Sequence, residues 1–248
     1  MFEGFRATIE GARLVQSRVR NYYTLVALIA AMFAAEATMH FTHYTWSRWL
    51  VTITAGVAVL LAFGAGLKTS DLGLDRRTYA RGSKWAAIII LVVVAGIAVA
   101  IAIPPLRELF QNDAYSSLRW ALFSAFVLIP LQTVIPEELL FRGIITGSLL
   151  RRLSTRVSIA IQAGLFGLWH VVSSLGLTAG NAGFSDAVGT GALGISLGIV
   201  GAVAFTATAG AVLGWLRVKT DSLLPCIALH WAANGAGAIA AALAWQLA

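Results

Sequence analysis

Three polar groups interrupt apolar stretches in the second half of this chain, and their types and spacing suit proton transfer. The first is Pro136-Glu137-Glu138-Leu139-Leu140-Phe141-Arg142-Gly143, inside an apolar run from near Trp120 to Leu150. Translocon scales set a charged residue at mid-membrane at about 2.5–3.5 kcal/mol, so two acids and a guanidinium there need a purpose. On a helix, Glu138 and Arg142 are four apart and share a face, where they can pair as a structural tie. Glu137 points about 100° away from Glu138 and is left without a local partner. A desolvated carboxylate of that kind suits a general base.

The second group is Phe166-Gly167-Leu168-Trp169-His170, which places Phe166 and His170 on one face of an otherwise apolar helix. The third is His230-Trp231-Ala232-Ala233-Asn234, with His230 and Asn234 again four apart. Polar side chains facing lipid are unsatisfied, so the economical arrangement is convergence of all three in the core of a bundle. A carboxylate, two imidazoles and a carboxamide meeting there exceed what helix packing requires.

The rest of the chain supplies the elements that must position them. Of 248 residues, 58% are hydrophobic and 12% charged, against about 25% charged in a soluble domain. That composition predicts an all-α polytopic membrane protein. Seven apolar segments approach the ~20 residues of a spanning helix: 22–39, 49–67, 85–104, 117–150, 157–176, 189–216 and 222–247. Pro130 and Pro136 predict a kinked or two-piece fourth segment. Gly189, Gly191, Gly194, Gly198 and Gly201 leave room for a short re-entrant piece in the sixth, which would make eight helices.

The net charge of +7 is carried by short clusters between apolar runs, the pattern of a membrane protein rather than of a nucleic-acid binder. Four arginines precede the first span; Lys68 to Lys84, Arg151 to Arg156, and Arg217 with Lys219 mark later loops. Seven spans with the N-terminus cytoplasmic put each of these on the cytoplasmic side. Residues 1–20 read as a basic cytoplasmic surface helix leading into the first span, and 1–248 as one membrane domain. Gly143 with Gly147, Gly194 with Gly198, and Gly210 with Gly214 predict close helix contacts. The single cysteine, Cys226, excludes an internal disulfide framework. Glu36, His40 and His43 could share a face at the outer end of the first span and hold a metal, but neighbouring Tyr44, Trp46 and Trp49 make an interfacial belt the simpler reading.

The ordered trio Glu137-Glu138-x-x-x-Arg142, Phe166-x-x-x-His170 and His230-x-x-x-Asn234 resembles the three motifs of the CPBP family of intramembrane proteases. That family includes the type II CAAX prenyl endopeptidases and bacteriocin-processing or immunity homologues. The segment Gly214 to His230 and the basic stretch Leu72 to Lys84 are also similar to it. The resemblance implies that Glu137, assisted by His170, activates a water, and that His230 and Asn234 stabilise the oxyanion. It makes Glu138 and Arg142 shape the site, with Phe166 packed under His170. A zinc site on Glu137, His170 and His230 is the rival, but His-x-x-x-Asn lacks the paired histidines of the soluble zinc protease helix, so no cofactor is favoured.

Expected partners are the bilayer and a peptide or membrane-protein substrate, in a bacterial inner membrane. A catalytically silent scaffold is the alternative from another class; a transporter would be favoured by inverted repeats, which are not evident. Depth raises a difficulty. Glu137 and His170 lie about 25 Å along their helices from the turn near Arg152, whereas His230 lies about 13 Å from the loop near Asp221. They can meet only if the hairpin from Gly143 to Val157 protrudes or tilts, which places the expected site in the cytoplasmic half, open to water from that side.

Overall fold

The computed structural model describes residues 2–42, 44–175 and 191–247, with side chains from Tyr22 onward. Seven long helices account for most of it: α1 (Phe2–Phe41), α2 (Leu50–Gly64), α3 (Tyr79–Ala102), α4 (Leu118–Leu150), α5 (Thr155–Ser173), α6 (Ala192–Thr220) and α7 (Leu224–Gln246). No strand occurs among the described residues. Six of these helices, α5 excepted, are long and apolar enough to cross a membrane, α2 together with the 3₁₀ turn Thr45–Trp49 before it. α5 has 19 residues and carries Arg156, Gln162 and His170, which dilute its apolar content.

The large apolar residues on the outside support this assignment. Leu91, Val92 and Val99 of α3 are 71%, 64% and 62% exposed. Water would penalise such faces, whereas lipid leaves them at no cost while the helix satisfies its own backbone. α7 is the contrast, with 56% of its spanning window buried. Its second half, Gly237–Gln246, is largely alanine, so neighbouring helices approach it closely.

The basic N-terminal segment is helical and continuous with the first span, since α1 runs unbroken from Phe2 to Phe41. Three other expectations change. α4 is not two pieces. Pro130 and Pro136 lack an amide hydrogen, and α4 absorbs this by widening into π-helical turns at Ser124–Leu128, Pro130–Val134 and Leu139–Ile145; such turns recur at functional sites. Arg217 and Lys219 do not form a loop; they lie in the last turns of α6. The re-entrant piece is not found over 192–220, which is one helix; positions 189 and 190 lie outside the described residues.

α5 and α6 form an intimate pair. A side chain on Gly210 would strike Ala163 and Phe166, and one on Gly214 would strike Gln162. Buried Gln162 donates Nε2–H to the Gly210 carbonyl at 2.7 Å. The expected Gly210 and Gly214 contact therefore has a specific partner. Gly143 and Gly147 have another, the 66–74 segment between α2 and α3: Leu72 lies over Gly143, and the Asp71 backbone lies against Gly147.

That segment is clamped at the basic end of the bundle. Arg151 binds Asp71 Oδ2 at 2.6 Å and donates to the Gly66 carbonyl. Arg217, only 3% exposed, donates to the carbonyls of Asp71 (2.7 Å) and Ser70 (3.3 Å). Gly73, at φ 75°, lets the chain turn against the Arg217 guanidinium, where a side chain would collide. Arg81 completes the clamp by binding the Thr220 carbonyl and Asp221 at the C-terminus of α6, where cations satisfy the final carbonyls.

Gly147→Val is expected to push the Asp71 backbone away and lower stability by about 1–3 kcal/mol, read as a fall in thermal midpoint in detergent. A second expectation concerns pH. Burial pushes the Asp71 carboxyl up, but hydrogen bonds from Arg151 and the Lys68 amide outweigh it and hold it below the usual carboxylate range. A depressed folded value contributes stability above the unfolded carboxyl value of about 3.9, lost as pH falls through the lower folded one. Thermal midpoints recorded from neutral pH downward should show Asp71→Asn removing part of that acid sensitivity.

Candidate active site

The site forms where α4, α5 and α7 meet, at the Pro136 turn of α4. Glu137, Glu138 and Arg142 are all buried, the last two completely. Glu138 Oε1 is the hub. It accepts from Arg142 Nη1 at 2.9 Å, the expected one-turn pair, and from His230 Nδ1 of α7 at 2.8 Å. A carboxylate shared by a guanidinium and an imidazole satisfies charge on both helices with charge-assisted bonds.

Since Nδ1 donates to Glu138, the His230 ring is oriented and its Nε2 faces Glu137, 3.9 Å from Oε2. That gap is too long for a direct hydrogen bond and suits a small polar group between the two. Glu137 Oε2 has no hydrogen-bond partner. The other oxygen, Oε1, accepts the Trp169 indole N–H at 3.3 Å. Glu137 is therefore not partnerless, as its position on α4 alone suggested; α5 supplies the donor. One oxygen is anchored and the other is free for chemistry.

Phe166 ties the three helices together. Its ring lies under the Arg142 guanidinium at 4.0 Å, meets His170 edge-on at 4.7 Å and faces His230 at 6.0 Å. The packing of Phe166 beneath His170 matches the expectation. Its second contact answers a further question, since Arg142 Nε and Nη2 lack hydrogen-bond partners and the aromatic face compensates them.

His170 and Asn234 are less closely engaged. His170 donates Nδ1–H to the Phe166 carbonyl at 2.8 Å, which in the neutral ring leaves Nε2 as an acceptor. It is half-buried, and no ion pair joins it to Glu137. Asn234 lies in the π-helical turn Ala232–Ala236 and is exposed, with no hydrogen bond to His230 or the acids. Among the described residues no three His, Cys, Asp or Glu side chains come together as a metal-holding group; Glu137, His170 and His230 do not form the three-ligand set of catalytic zinc.

Two residues of the site were missed by sequence reasoning. Trp169 was present in the second motif, and a tryptophan on an apolar helix needs a partner for its N–H. Glu36 was assigned with His40 and His43 to an interfacial belt. It is instead 4% exposed, on the inner face of α1, and within electrostatic reach of Glu137. His40 is exposed, and His43 lies outside the described residues.

Depth is reconciled by length. Glu138 and His230 are in contact although Glu138 lies further from the basic end of its helix than His230 does. α4 thus extends beyond the start of α7 by about six residues, roughly 9 Å, and the 66–74 segment sheathes the extra turns. A cavity of ≈ 280 Å³ towards the opposite end is lined by Arg48, Tyr115, Trp120, Gln132 and Thr133 among others. Thr133 is one turn before Glu137.

An apolar bundle with six helices able to cross a bilayer is an integral multi-pass membrane protein, here with an acid–imidazole centre buried in it. Residues 118–236, from the start of α4 to the π turn of α7 that carries Asn234, match the family model Rce1-like, the type II CAAX prenyl endopeptidases. The resemblance drawn from the three motifs is therefore matched by a family model over the segment that holds the site. No curated protein and no solved structure matches the chain.

Glu138→Ala should leave Arg142 and His230 buried without their shared acceptor, a loss of about 3–5 kcal/mol. Replacing Glu138 and Arg142 together with leucine should cost less than Glu138→Ala alone, as measured by thermal unfolding in detergent. Equal losses would show that the shared oxygen is not what holds the helices.

Proposed function

We propose that this chain is an intramembrane endopeptidase that cleaves a membrane-associated peptide or protein with a water activated by Glu137. The observation that carries this reading is the asymmetric Glu137 carboxylate: Oε1 held by Trp169, Oε2 buried, unpartnered and 3.9 Å from His230 Nε2. A water in that gap has a base on one side and an imidazole nitrogen on the other.

In the proposed reaction, Glu137 takes a proton as the water oxygen attacks the scissile carbonyl. The carbonyl oxygen becomes an oxyanion, and His230, when its ring carries both protons, donates Nε2–H to it. Glu138 on the far side balances that ring charge and keeps the imidazole aimed. Preorganised donors of this kind are often the largest catalytic contribution. The proton held by Glu137 then goes to the leaving amine as the C–N bond breaks. His170 presents its Nε2 lone pair as the assisting base, and Asn234 would add a second oxyanion donor by turning inward on substrate binding. Arg142 and Phe166 support the geometry through Glu138 and the ring stack.

No metal takes part in this scheme. Seven membrane crossings, with α5 as the fifth and the N-terminus cytoplasmic, put the basic end with its clamped 66–74 segment on the cytoplasmic side. The overhang of α4 there makes cleavage near the cytoplasmic face the preferred geometry, in a bacterial inner membrane.

The test is cleavage of candidate membrane peptides by purified protein. Glu137→Gln should reduce kcat by at least about 10³-fold and His230→Ala by about 10²–10³-fold, in line with loss of a base and of an oxyanion donor. His170→Ala should reduce it less. Chelators should leave the wild type unchanged; loss of activity restored by added zinc would replace this mechanism with the metal one.

A further inference from the structure

Glu36 is the one charged side chain that α1 places on its inner face within the described residues, beside Met32 (1% exposed) and Ala35 (8%). One turn earlier, Phe33 packs edge-on against Trp169 at 5.6 Å, and Trp169 in turn binds Glu137. The same face of α1 thus looks onto the helix turn that holds the free carboxylate oxygen. Glu36 is itself 4% exposed, with no hydrogen bond or ion pair to any described residue.

Glu36 and Glu137, the latter bonded through Oε1 alone, therefore lie within electrostatic reach of each other in a low-dielectric core, an arrangement that is costly as it stands. No lysine or arginine among the described residues relieves it, and the imidazole nearest to Glu137, that of His230 at 3.9 Å from Oε2, is held through its other nitrogen by Glu138. Arg142 is committed to Glu138 and Phe166, and Arg217 to the 66–74 carbonyls. α2, packed on α1, contains no charged residue, and His40, one turn beyond Glu36, is exposed and makes no ion pair with it.

We propose that Glu36 and Glu137 form an acidic subsite for a cationic group of the substrate, an ammonium or guanidinium close to the scissile bond, with Glu36 setting that specificity. The inference deepens the protease reading and rests on it. The bound cation supplies the charge compensation that the protein omits, and a charge-assisted bond to a buried carboxylate favours it over a neutral side chain of similar size. Glu36 is a specificity residue, whereas Glu137 remains the group that meets the reacting water.

The experiment uses the full chain in detergent and a set of fluorescent hydrophobic peptides in which one position, walked along the sequence, is Lys, norleucine or Glu. Binding is read by anisotropy and cleavage by product formation on the same peptides. The wild type should prefer Lys over norleucine about tenfold at one position, in binding and in kcat/KM, the size expected for one hydrogen bond to a charged group. Glu36→Gln should level the two by lowering turnover of the Lys peptide more than that of the norleucine peptide, Glu36→Asp should keep the preference, and Glu36→Lys should shift it to the Glu peptide. An unchanged Lys preference in Glu36→Gln, an equal loss on both peptides, or no preference in the wild type overturns the subsite. Lys-selective binding that disappears in Glu36→Gln without any cleavage supports the subsite and rejects the protease reading.

Discussion

One oxygen, Oε1 of Glu138, joins the two halves of the site. It accepts from Arg142 within α4 and from His230 across to α7, and the rest of the geometry follows. The bond to Nδ1 fixes the imidazole plane and turns Nε2 towards Glu137. The bond to Nη1 holds the guanidinium over Phe166, and Phe166 supports both histidines. In a bilayer this arrangement is stringent, because water cannot substitute for a missing partner. Glu138 serves structure so that Glu137, one residue away, remains available.

The helix between the two prolines gives the second constraint. Adjacent residues on an ideal α-helix diverge by about 100°, yet both glutamates address the same histidine ring. The π turns flanking the Ile135–Glu138 stretch alter the angular progression of α4 on each side of the acids. α7 has its own π turn directly after His230. The helices that carry the two glutamates and His230 thus depart from α geometry beside those residues, a feature common at functional sites.

Much of the site was legible because membrane sequences make polar residues conspicuous. Glu138 with Arg142, and Phe166 with His170, obeyed four-residue spacing and are paired as expected. What spacing could not reveal was which elements face each other. The partner of Glu138 on α7, the Trp169 bond to Glu137, and the entry of Glu36 into the core all depend on packing between distant segments. Glu36 misled for a specific reason: aromatic residues at 44, 46 and 49 signal the interface, and Glu36 is only two turns from them. Arg217 misled similarly, since a basic residue near a span end reads as loop, whereas α6 continues through it and uses it to bind backbone carbonyls.

The clamp at the basic end bears on the site through α4. Gly143 and Gly147 lie one and two turns beyond Glu138, and both faces are covered by the 66–74 segment. Arg151 and Arg217 hold that segment from two different helices. The part of α4 that overhangs α7 is therefore braced where lateral helix contacts run out. Without that brace the overhang would be free to fray, since a helix end in water keeps little order without tertiary contacts. A frayed end would loosen the turn holding Arg142 and, through it, the Glu138 oxygen. The polar clamp and the acid centre are thus two ends of one mechanical element, and the glycine stripe lets them share it.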